Sequence, residues 1–195
     1  MHGLINRGIQ RFVIDSYGDT KWRDSVSRAG LTFNDFEAMW IYEDDITHDV
    51  LAAVCEVLDR PFDELLEDIG TYLVSHQNVE ALRRLLRFGG VNFAEFLYSL
   101  DDLPDRARLA VPRLQLPRLE LREETSECYT LRCFGENEGW GYLFMGVLRA
   151  MSDDYGALTY LEHMGTQDGA EVLQISLLET EYSDGREFDL GAKSA

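Results

Sequence analysis

Residues 92–117, NFAEFLYSLDDLPDRARLAVPRLQLP, separate a part of the sequence with helical periodicity from a part with the periodicity of strands. Asn92 is a favourable N-cap residue and Glu95 follows three positions later, which is the pattern of a capping box. Apolar residues then recur at helical spacing, and they are Phe93, Phe96, Leu97, Leu100 and Leu103. We predict a helix that begins after Asn92 and breaks at Pro104, followed by a proline-punctuated crossing segment that ends at Pro117.

The sequence before this stretch has the apolar periodicity of helices. Residues 2–17 carry one apolar face, and Gly18 ends the pattern. A second helix is expected after a cap at Asp19 or Thr20, and it should end at Gly30. Three further helices are expected: one capped by Thr47, one opened by Pro61, and a short one over residues 79–88.

Beyond Pro117 the apolar period changes to that of strands, with Leu119 and Leu121 alternating with charged residues. The other expected strands cover residues 128–134, 157–162 and 171–178, with a polar turn over residues 123–126. An apolar helix lies between the second and third strands. We expect an α+β fold: an N-terminal helical subdomain, a long helix, and a C-terminal antiparallel meander sheet with packed helices.

The composition limits the class of protein. A chain of 195 residues with 45% hydrophobic residues is expected to form one domain with a real core. The formal net charge of −18 argues against nucleic acid and against an anionic membrane surface as partners. We see no secretion signal and no membrane-spanning apolar run, and three cysteines favour reduced thiols, so we expect a cytoplasmic protein.

Three parts of the sequence together resemble a known family. They are MHGLINRGIQRFV at residues 1–13, YEDDITHDVLAAVCEVLDRPFDELLEDIG at residues 42–70, and residues 92–117 with Pro112 and Pro117. In order and spacing they resemble the heme nitric oxide/oxygen binding family (H-NOX, or HNOB), which is also the sensor domain of soluble guanylate cyclases. The likeness is to the bacterial stand-alone type.

The resemblance implies a domain organisation, a cofactor and a class of partner. It implies a single domain over residues 1–178, with a helical subdomain over 1–60, a helix-plus-sheet subdomain over 61–178, and a polar tail over 179–195. The tail is expected to be frayed, although Phe188 and Leu190 could dock. The family cofactor is heme b, and the implied partner is a histidine kinase or a cyclic-dinucleotide enzyme.

The stretch that carries the resemblance also carries its main departure. In the family, the helix ends in a histidine, within a pattern like L-D-x-L-H, that coordinates the heme iron. Here Leu100-Asp101-Asp102-Leu103 is followed by Pro104, which has no ligating side chain. The resemblance therefore implies a domain without the family's proximal iron ligand.

A second family pattern, Y-x-S-x-R, holds the heme propionates with two hydroxyls and a guanidinium. Counted without gaps from Pro112 and Pro117, its three positions fall on Cys133, Gly135 and Asn137. A shifted alignment would offer Tyr129 and Arg132, but these are three apart, so on a strand their side chains would point to opposite faces. We expect that the propionate clamp is lost.

The resemblance also implies a set of pocket-lining positions. They are Ile5, Ile9, Leu73, Gln77, Leu100, Pro104, Pro117, Leu143 and Val147. Ordinary core packing would select the same apolar residue types. Gln77 could donate a hydrogen bond into a pocket, although glutamine more often faces solvent.

Other ligands for an iron remain open at this point. The four histidines are His2, His48, His76 and His163, and none lies on the helix that ends near Pro104. His2 and His76 fall beside implied pocket positions, and a Cys133 thiolate could ligate heme. An ordinary strand cysteine is the simpler interpretation of Cys133. No other metal site is expected.

The sequence contains no nucleophile elbow, phosphate loop, zinc-protease helix or kinase motif set, so we do not expect an enzyme. Three hypotheses follow. The first is a sensory module of the H-NOX fold that regulates a partner with weak or no heme binding, and whose input is an apolar small ligand or thiol chemistry at Cys133. The second is a ligand-free interaction scaffold whose cofactor space is filled. The third is a heme-dependent NO or O₂ sensor with an unorthodox ligand.

Overall fold

The computed structural model describes residues 1–186, apart from the side chains of residues 79–81. Its α-helices are α1 (Gly3–Tyr17), α2 (Asp19–Arg28), α3 (Asp44–Leu58), α4 (Phe62–Ser75), α5 (Glu80–Arg87), α6 (Phe93–Tyr98), α7 (Leu103–Ala110) and α8 (Trp140–Tyr155). Its strands are β1 (Arg118–Thr125), β2 (Cys128–Phe134), β3 (Leu158–Gln167) and β4 (Ala170–Glu179). The helices-then-strands order confirms the α+β prediction.

The first helix begins and ends where the sequence indicates. The ring nitrogen Nδ1 of His2 accepts a hydrogen bond from the backbone N–H of Leu4 at 3.2 Å, so His2 caps α1. Ile9, Phe12 and Val13 recur at helical spacing and are buried. The backbone N–H of Gly18 bonds the carbonyl of Ile14 and closes the helix.

The predicted cap at Thr47 is wrong, because α3 begins three residues earlier at Asp44. Asp44 and Asp45 occupy the first turn, where carboxylates interact favourably with the positive end of the helix dipole. Thr47 is buried inside the helix, and its hydroxyl donates to the side-chain oxygen of Asn6 at 2.7 Å. The threonine therefore joins α3 to α1.

The predicted long helix is two short ones. Asn92 caps α6 as expected, since its side-chain oxygen accepts from the N–H of Glu95 at 2.9 Å, and the Glu95 carboxylate accepts from the N–H of Val91 at 2.9 Å. The helix ends at Tyr98, well before the proline. Pro104 lies in the first turn of α7, where a missing backbone N–H costs nothing. Pro104 thus begins a helix, and the prediction that it ends one is wrong.

The sheet is antiparallel with strand order β1-β2-β4-β3, so the predicted meander order is wrong. The chain crosses from β2 to the far edge through α8, and β4 returns to the centre beside β2. Leu173, Ile175 and Leu177 make β4 the more apolar strand of the hairpin, which suits the central place. The predicted turn over residues 123–126 is also shorter, because β1 continues to Thr125.

Two apolar clusters form the core. The helical cluster is built from α1 to α4 around Trp22, and the sheet cluster is built from α5 to α8 and the four strands. Tyr142 of α8 packs against both. α8 and α4 cross at Gly146 and Gly70, where a Cβ on Gly70 would overlap the carbonyl oxygen of Leu143, and one on Gly146 would overlap that of Glu67. The close approach of the two backbones therefore requires glycine at both positions.

The segment after β4 is attached to the end of α8, in contrast to the expected fraying. The backbone N–H of Tyr182 donates to Gly156 at 2.8 Å, and that of Arg186 donates to Asp154 at 3.0 Å. Phe188 and Leu190 lie outside the described residues. Within residues 1–186, none of the helices combines the length and the apolar character that crossing a bilayer would need.

Candidate functional site

The position at which the resemblance places the iron ligand holds a buried proline. Pro104 lies in the first turn of α7, and its neighbours Leu103 and Ala107 in that helix are buried as well. A pyrrolidine ring has no lone pair to offer a metal, and the proline nitrogen is part of the peptide bond. Leu100, one turn before, has 0% exposed surface, so no space large enough for a water molecule adjoins its side chain.

The apolar pocket positions divide between the two clusters. Ile5, Ile9, Leu73 and Leu143 belong to the helical cluster, and Leu100 and Val147 belong to the sheet cluster. Pro117 is buried at the start of the sheet. Of these residues, only Ile5, Leu73 and Leu143 keep partial exposure. The partly exposed positions of the implied pocket therefore belong to α1, α4 and the first turn of α8.

Gln77 does not belong to this group. It lies in a single 3₁₀ turn, Gln77–Val79, beyond the end of α4, and it is exposed. Its amide is therefore solvated, as for most glutamines.

Cys133 is the first of the three clamp positions. It lies on the inner face of β2, directly opposite Leu119 on one side and Glu171 on the other, and it is only 2% exposed. Burial raises the pKa of the Cys133 thiol, and the negative charge of Glu171 raises it further. Both effects disfavour the thiolate, which is the form that thiol chemistry at Cys133 would need.

Neighbouring side chains contact the other two clamp positions, Gly135 and Asn137. A Cβ on Gly135 would lie 2.6 Å from Cδ1 of Trp140, so a serine there would displace the indole. The side-chain oxygen of Asn137 is 3.0 Å from Nε2 of His48, which joins the β2–α8 loop to α3. Neither position offers a cation to a propionate.

The structure adds one residue that the sequence analysis missed, Glu171. Its carboxylate accepts hydrogen bonds from the backbone N–H groups of Gly139 (2.8 Å) and Gly141 (3.1 Å), so it caps the N-terminus of α8. Nε2 of His163 is 3.1 Å from the same carboxylate. Nδ1 of His163 accepts from the N–H of Gly165, which leaves Nε2 as the donor to Glu171 in the neutral ring.

We call Glu171, His163 and Tyr142 the Glu171 cluster, since the Tyr142 ring stacks on His163 with centroids 4.1 Å apart. The cluster lies beside Cys133 and holds a carboxylate where the helix dipole favours one. A second carboxylate brought to this place would meet like-charge repulsion. A sequence signal existed, because Glu171 breaks the inward alternation that Leu173, Ile175 and Leu177 continue.

The other histidines that the sequence left open as iron ligands also have structural contacts. His2 caps α1, as described above. His76 stacks on Tyr72 at 4.7 Å between ring centroids, and its Nδ1 accepts from the N–H of Asn78 at 3.3 Å. In the described part of the chain, histidine, cysteine and acidic side chains form no group of three or more that could hold a metal ion. The residues present do not fit the family's way of holding heme, with an axial imidazole and a propionate clamp.

Comparison with curated proteins links the chain to guanylate cyclases. The soluble guanylate cyclase gcy-31 of Caenorhabditis elegans is 27% identical over 154 residues, which are 79% of this chain and 22% of that protein. The soluble guanylate cyclase 89Da of Drosophila melanogaster is 25% identical over 121 residues, 62% of this chain and 18% of that protein. The chain thus spans about a fifth of the length of these relatives.

Solved structures share the fold. An Fe(II) unliganded H-NOX protein mutant from K. algicida superposes with a TM-score of 0.80 at 17% identity, covering 93% of this chain and 99% of that one. An oxygen-binding H-NOX domain related to soluble guanylate cyclases, in its oxygen complex, gives a TM-score of 0.70 at 17% identity, covering 96% and 100%. At this identity the likeness concerns the fold alone. The family model described as haem-NO-binding matches residues 2–163, most of the chain, and the protein therefore belongs to the haem-NO-binding (H-NOX) family of sensor domains.

Proposed function

We propose that this chain is a cytoplasmic sensory module of the H-NOX fold that regulates a partner protein and binds heme weakly or not at all. The observation that carries the proposal is Pro104, a buried residue without a ligating atom, at the position that the resemblance assigns to the proximal ligand. By family resemblance, the partner is a histidine kinase or a cyclic-dinucleotide enzyme. The module itself carries out no catalysis.

Electrostatics at the former clamp supports the same conclusion. Heme brings two carboxylates, and the family pattern meets them with hydroxyls and a guanidinium. Here Cys133 and Gly135 bring no charge, and Glu171 is paired with Cys133 across the two strands. A propionate entering this place would give up its hydration without gaining a cationic partner, which disfavours binding.

The input that remains is an apolar small ligand at the accessible positions Ile5, Leu73 and Leu143. A ligand-free scaffold is a second candidate, and the complete burial of Leu100 and Leu148 favours it. Side chains without accessible surface leave no room for a ligand directly against them. The two candidates differ in whether restoring the iron ligand restores heme uptake.

An absorption spectrum of protein expressed with ample heme tests the proposal. We expect little or no Soret absorbance from the unmodified chain, and a stoichiometric Soret band with iron would contradict the proposal and revive an unorthodox heme sensor. Pro104→His should gain heme if the pocket can still open, and Pro104→Ala is the matched control that changes the helix start without adding a ligand. A colourless Pro104→His protein would favour the ligand-free scaffold.

A further inference from the structure

Three consecutive large apolar residues protrude from the loop between α2 and α3. Met39, Trp40 and Ile41 are 72%, 66% and 51% exposed. Single exposed apolar residues are common on protein surfaces, but adjacent ones that include a tryptophan mark interaction sites. We call Met39, Trp40 and Ile41, together with the acidic residues Glu37, Glu43 and Asp45 that flank them, the Trp40 surface.

The backbone of the Trp40 surface is held in place. The carbonyl of Trp40 accepts from the N–H of Gly3 at 2.7 Å, and the N–H of Tyr42 donates to the carbonyl of Met1 at 2.9 Å. Ile41 forms an antiparallel bridge with His2. The loop therefore pairs with the residues at the start of α1, and this pairing fixes the backbone that carries the three apolar side chains.

Aromatic packing fixes the loop from beneath. Phe36 is buried, and its ring meets the Tyr42 ring edge-on with centroids 5.0 Å apart. The Tyr42 hydroxyl accepts from the N–H of Glu37 at 2.9 Å. A partner that binds here does not have to order the loop first, which lowers the entropy cost of association.

The rim of the Trp40 surface is acidic. Glu37, Glu43 and Asp45 are exposed, and the sequence has no lysine or arginine between Arg28 and Arg60. Two cations lie nearby. Arg7 donates to the carbonyl of Phe36 at 3.0 Å, and the Met1 amino group donates to the carbonyl of Tyr42 at 2.6 Å and pairs with Asp44. With a net charge of −18 on the whole chain, this face attracts cationic partners and repels anionic ones.

We propose that the Trp40 surface docks a partner protein segment that presents basic side chains around an apolar anchor, such as a basic amphipathic helix. This inference rests on the proposed regulatory function and names the surface that would serve it. A second copy of this chain would bring the same acidic rim, and an anionic membrane would be repelled by it, so charge favours a basic protein segment over both.

The test uses the full chain and a synthetic amphipathic peptide with leucines on one face and lysines on the other. A second peptide with glutamate in place of every lysine is the charge control. Calorimetric titration should show binding of the basic peptide that weakens as salt is raised. Trp40→Ala should weaken it by about tenfold or more, and Glu43→Lys combined with Asp45→Lys should do the same.

Matched variants separate the Trp40 surface from general attraction to an acidic protein. Phe88→Ala removes another exposed aromatic residue, and Glu124→Lys combined with Glu127→Lys makes the same charge change at exposed positions near the β1–β2 turn. Both should leave the affinity within about twofold of the unmodified chain. Equal weakening in both double-charge variants, or unchanged binding in Trp40→Ala, would overturn the proposal.

Two further results would overturn it in favour of another occupant. One is sedimentation with phosphatidylglycerol vesicles that Trp40→Ala abolishes, and the other is a concentration-dependent dimer that the same variant dissociates. The heme spectrum of Trp40→Ala should match that of the unmodified chain. Failure of the docking proposal is thereby distinguishable from failure of the proposed sensory function.

Discussion

Individual residues of this chain fall into two groups of unequal value for inferring function. Ile9, Leu100 and Val147 keep the apolar character of the family positions, but a closed core requires the same character, so they say little about a cofactor. Core packing does not require a particular residue at polar or metal-ligating positions. Pro104 and Asn137 therefore carry more information about function than all of the apolar positions together.

Asp15 gives a prediction at this scale. Burial opposes ionisation of Asp15, but hydrogen bonds from the Tyr72 hydroxyl (2.6 Å) and the Asn78 amide (2.9 Å) outweigh it and lower the pKa of the carboxyl below 3.8. We expect Asp15→Asn to lower the free energy of unfolding by about 1–3 kcal/mol at neutral pH, because hydrogen bonds to a charged acceptor are lost.

The sign of the pH dependence follows from the lowered pKa. The carboxylate contributes stability above the unfolded-state pKa of Asp15, and that contribution is lost as the pH falls through the folded-state pKa. Urea denaturation of both proteins should therefore show a difference at pH 7 that shrinks as the pH falls through roughly 4 and below. A difference that stays constant across this range would show that the charge of Asp15 is not the cause.

At the scale of elements, the sequence was informative wherever a local signal decides the structure. Asn92 and Glu95 located the start of α6, and the alternation of β2 located that strand, because capping and burial act within a few residues. The prediction that a helix ends at Pro104 was wrong because proline can either end a helix or occupy its first turn, and tertiary packing decides which of the two occurs. The order of the strands depends on where α8 crosses, which no local pattern encodes.

The Glu171 cluster shows the same limit within the candidate site. Glu171 and Gly139 are far apart in sequence, and their contact exists only because β4 lies beside β2 at the first turn of α8. The absence of a histidine at the position of Pro104 could be read from an ordered comparison of motifs, and the loss of the iron ligand stays a prediction. The broken alternation at Glu171 marks that residue in the sequence, but its contacts with Gly139 and Gly141 could not be read from it.

The crossing of α4 and α8 gives a prediction at the element scale. Gly146→Ala would place a methyl group against the carbonyl of Glu67 and 2.7 Å from the backbone nitrogen of Thr71, so the helices must move apart. We expect a loss of about 1–3 kcal/mol in the free energy of unfolding by urea denaturation.

Gly8→Ala is the matched control, because the same substitution within α1 meets only the far end of Leu73 at 4.0 Å. It should raise the free energy of unfolding by about 0.5–1 kcal/mol, since alanine restricts the unfolded chain more than glycine does. Equal losses in both variants would mean that the crossing imposes no special constraint at Gly146.

At the scale of the whole molecule, the two apolar clusters raise the question of how many units fold. We propose one domain over residues 1–178, with a helical part over 1–60 and a helix-plus-sheet part over 61–178. The helical cluster nevertheless draws Leu65 and Ile69 from α4, and Tyr142 packs against both clusters. Neither part can bury its apolar face without the other, so the boundary between them should not be a boundary in stability.

This argument predicts a single cooperative unfolding transition. Trp22 reports on the helical cluster and Trp140 on the sheet cluster, while Trp40 is exposed and can be removed as Trp40→Phe. In that background, Trp22→Phe and Trp140→Phe each leave one reporter. In each variant the urea transition seen by fluorescence should coincide with the one seen by far-ultraviolet circular dichroism, because both clusters are lost together. If the fluorescence of one reporter changes before the dichroism of the same variant, the part that contains that reporter unfolds as a separate unit, and the single cooperative transition is ruled out.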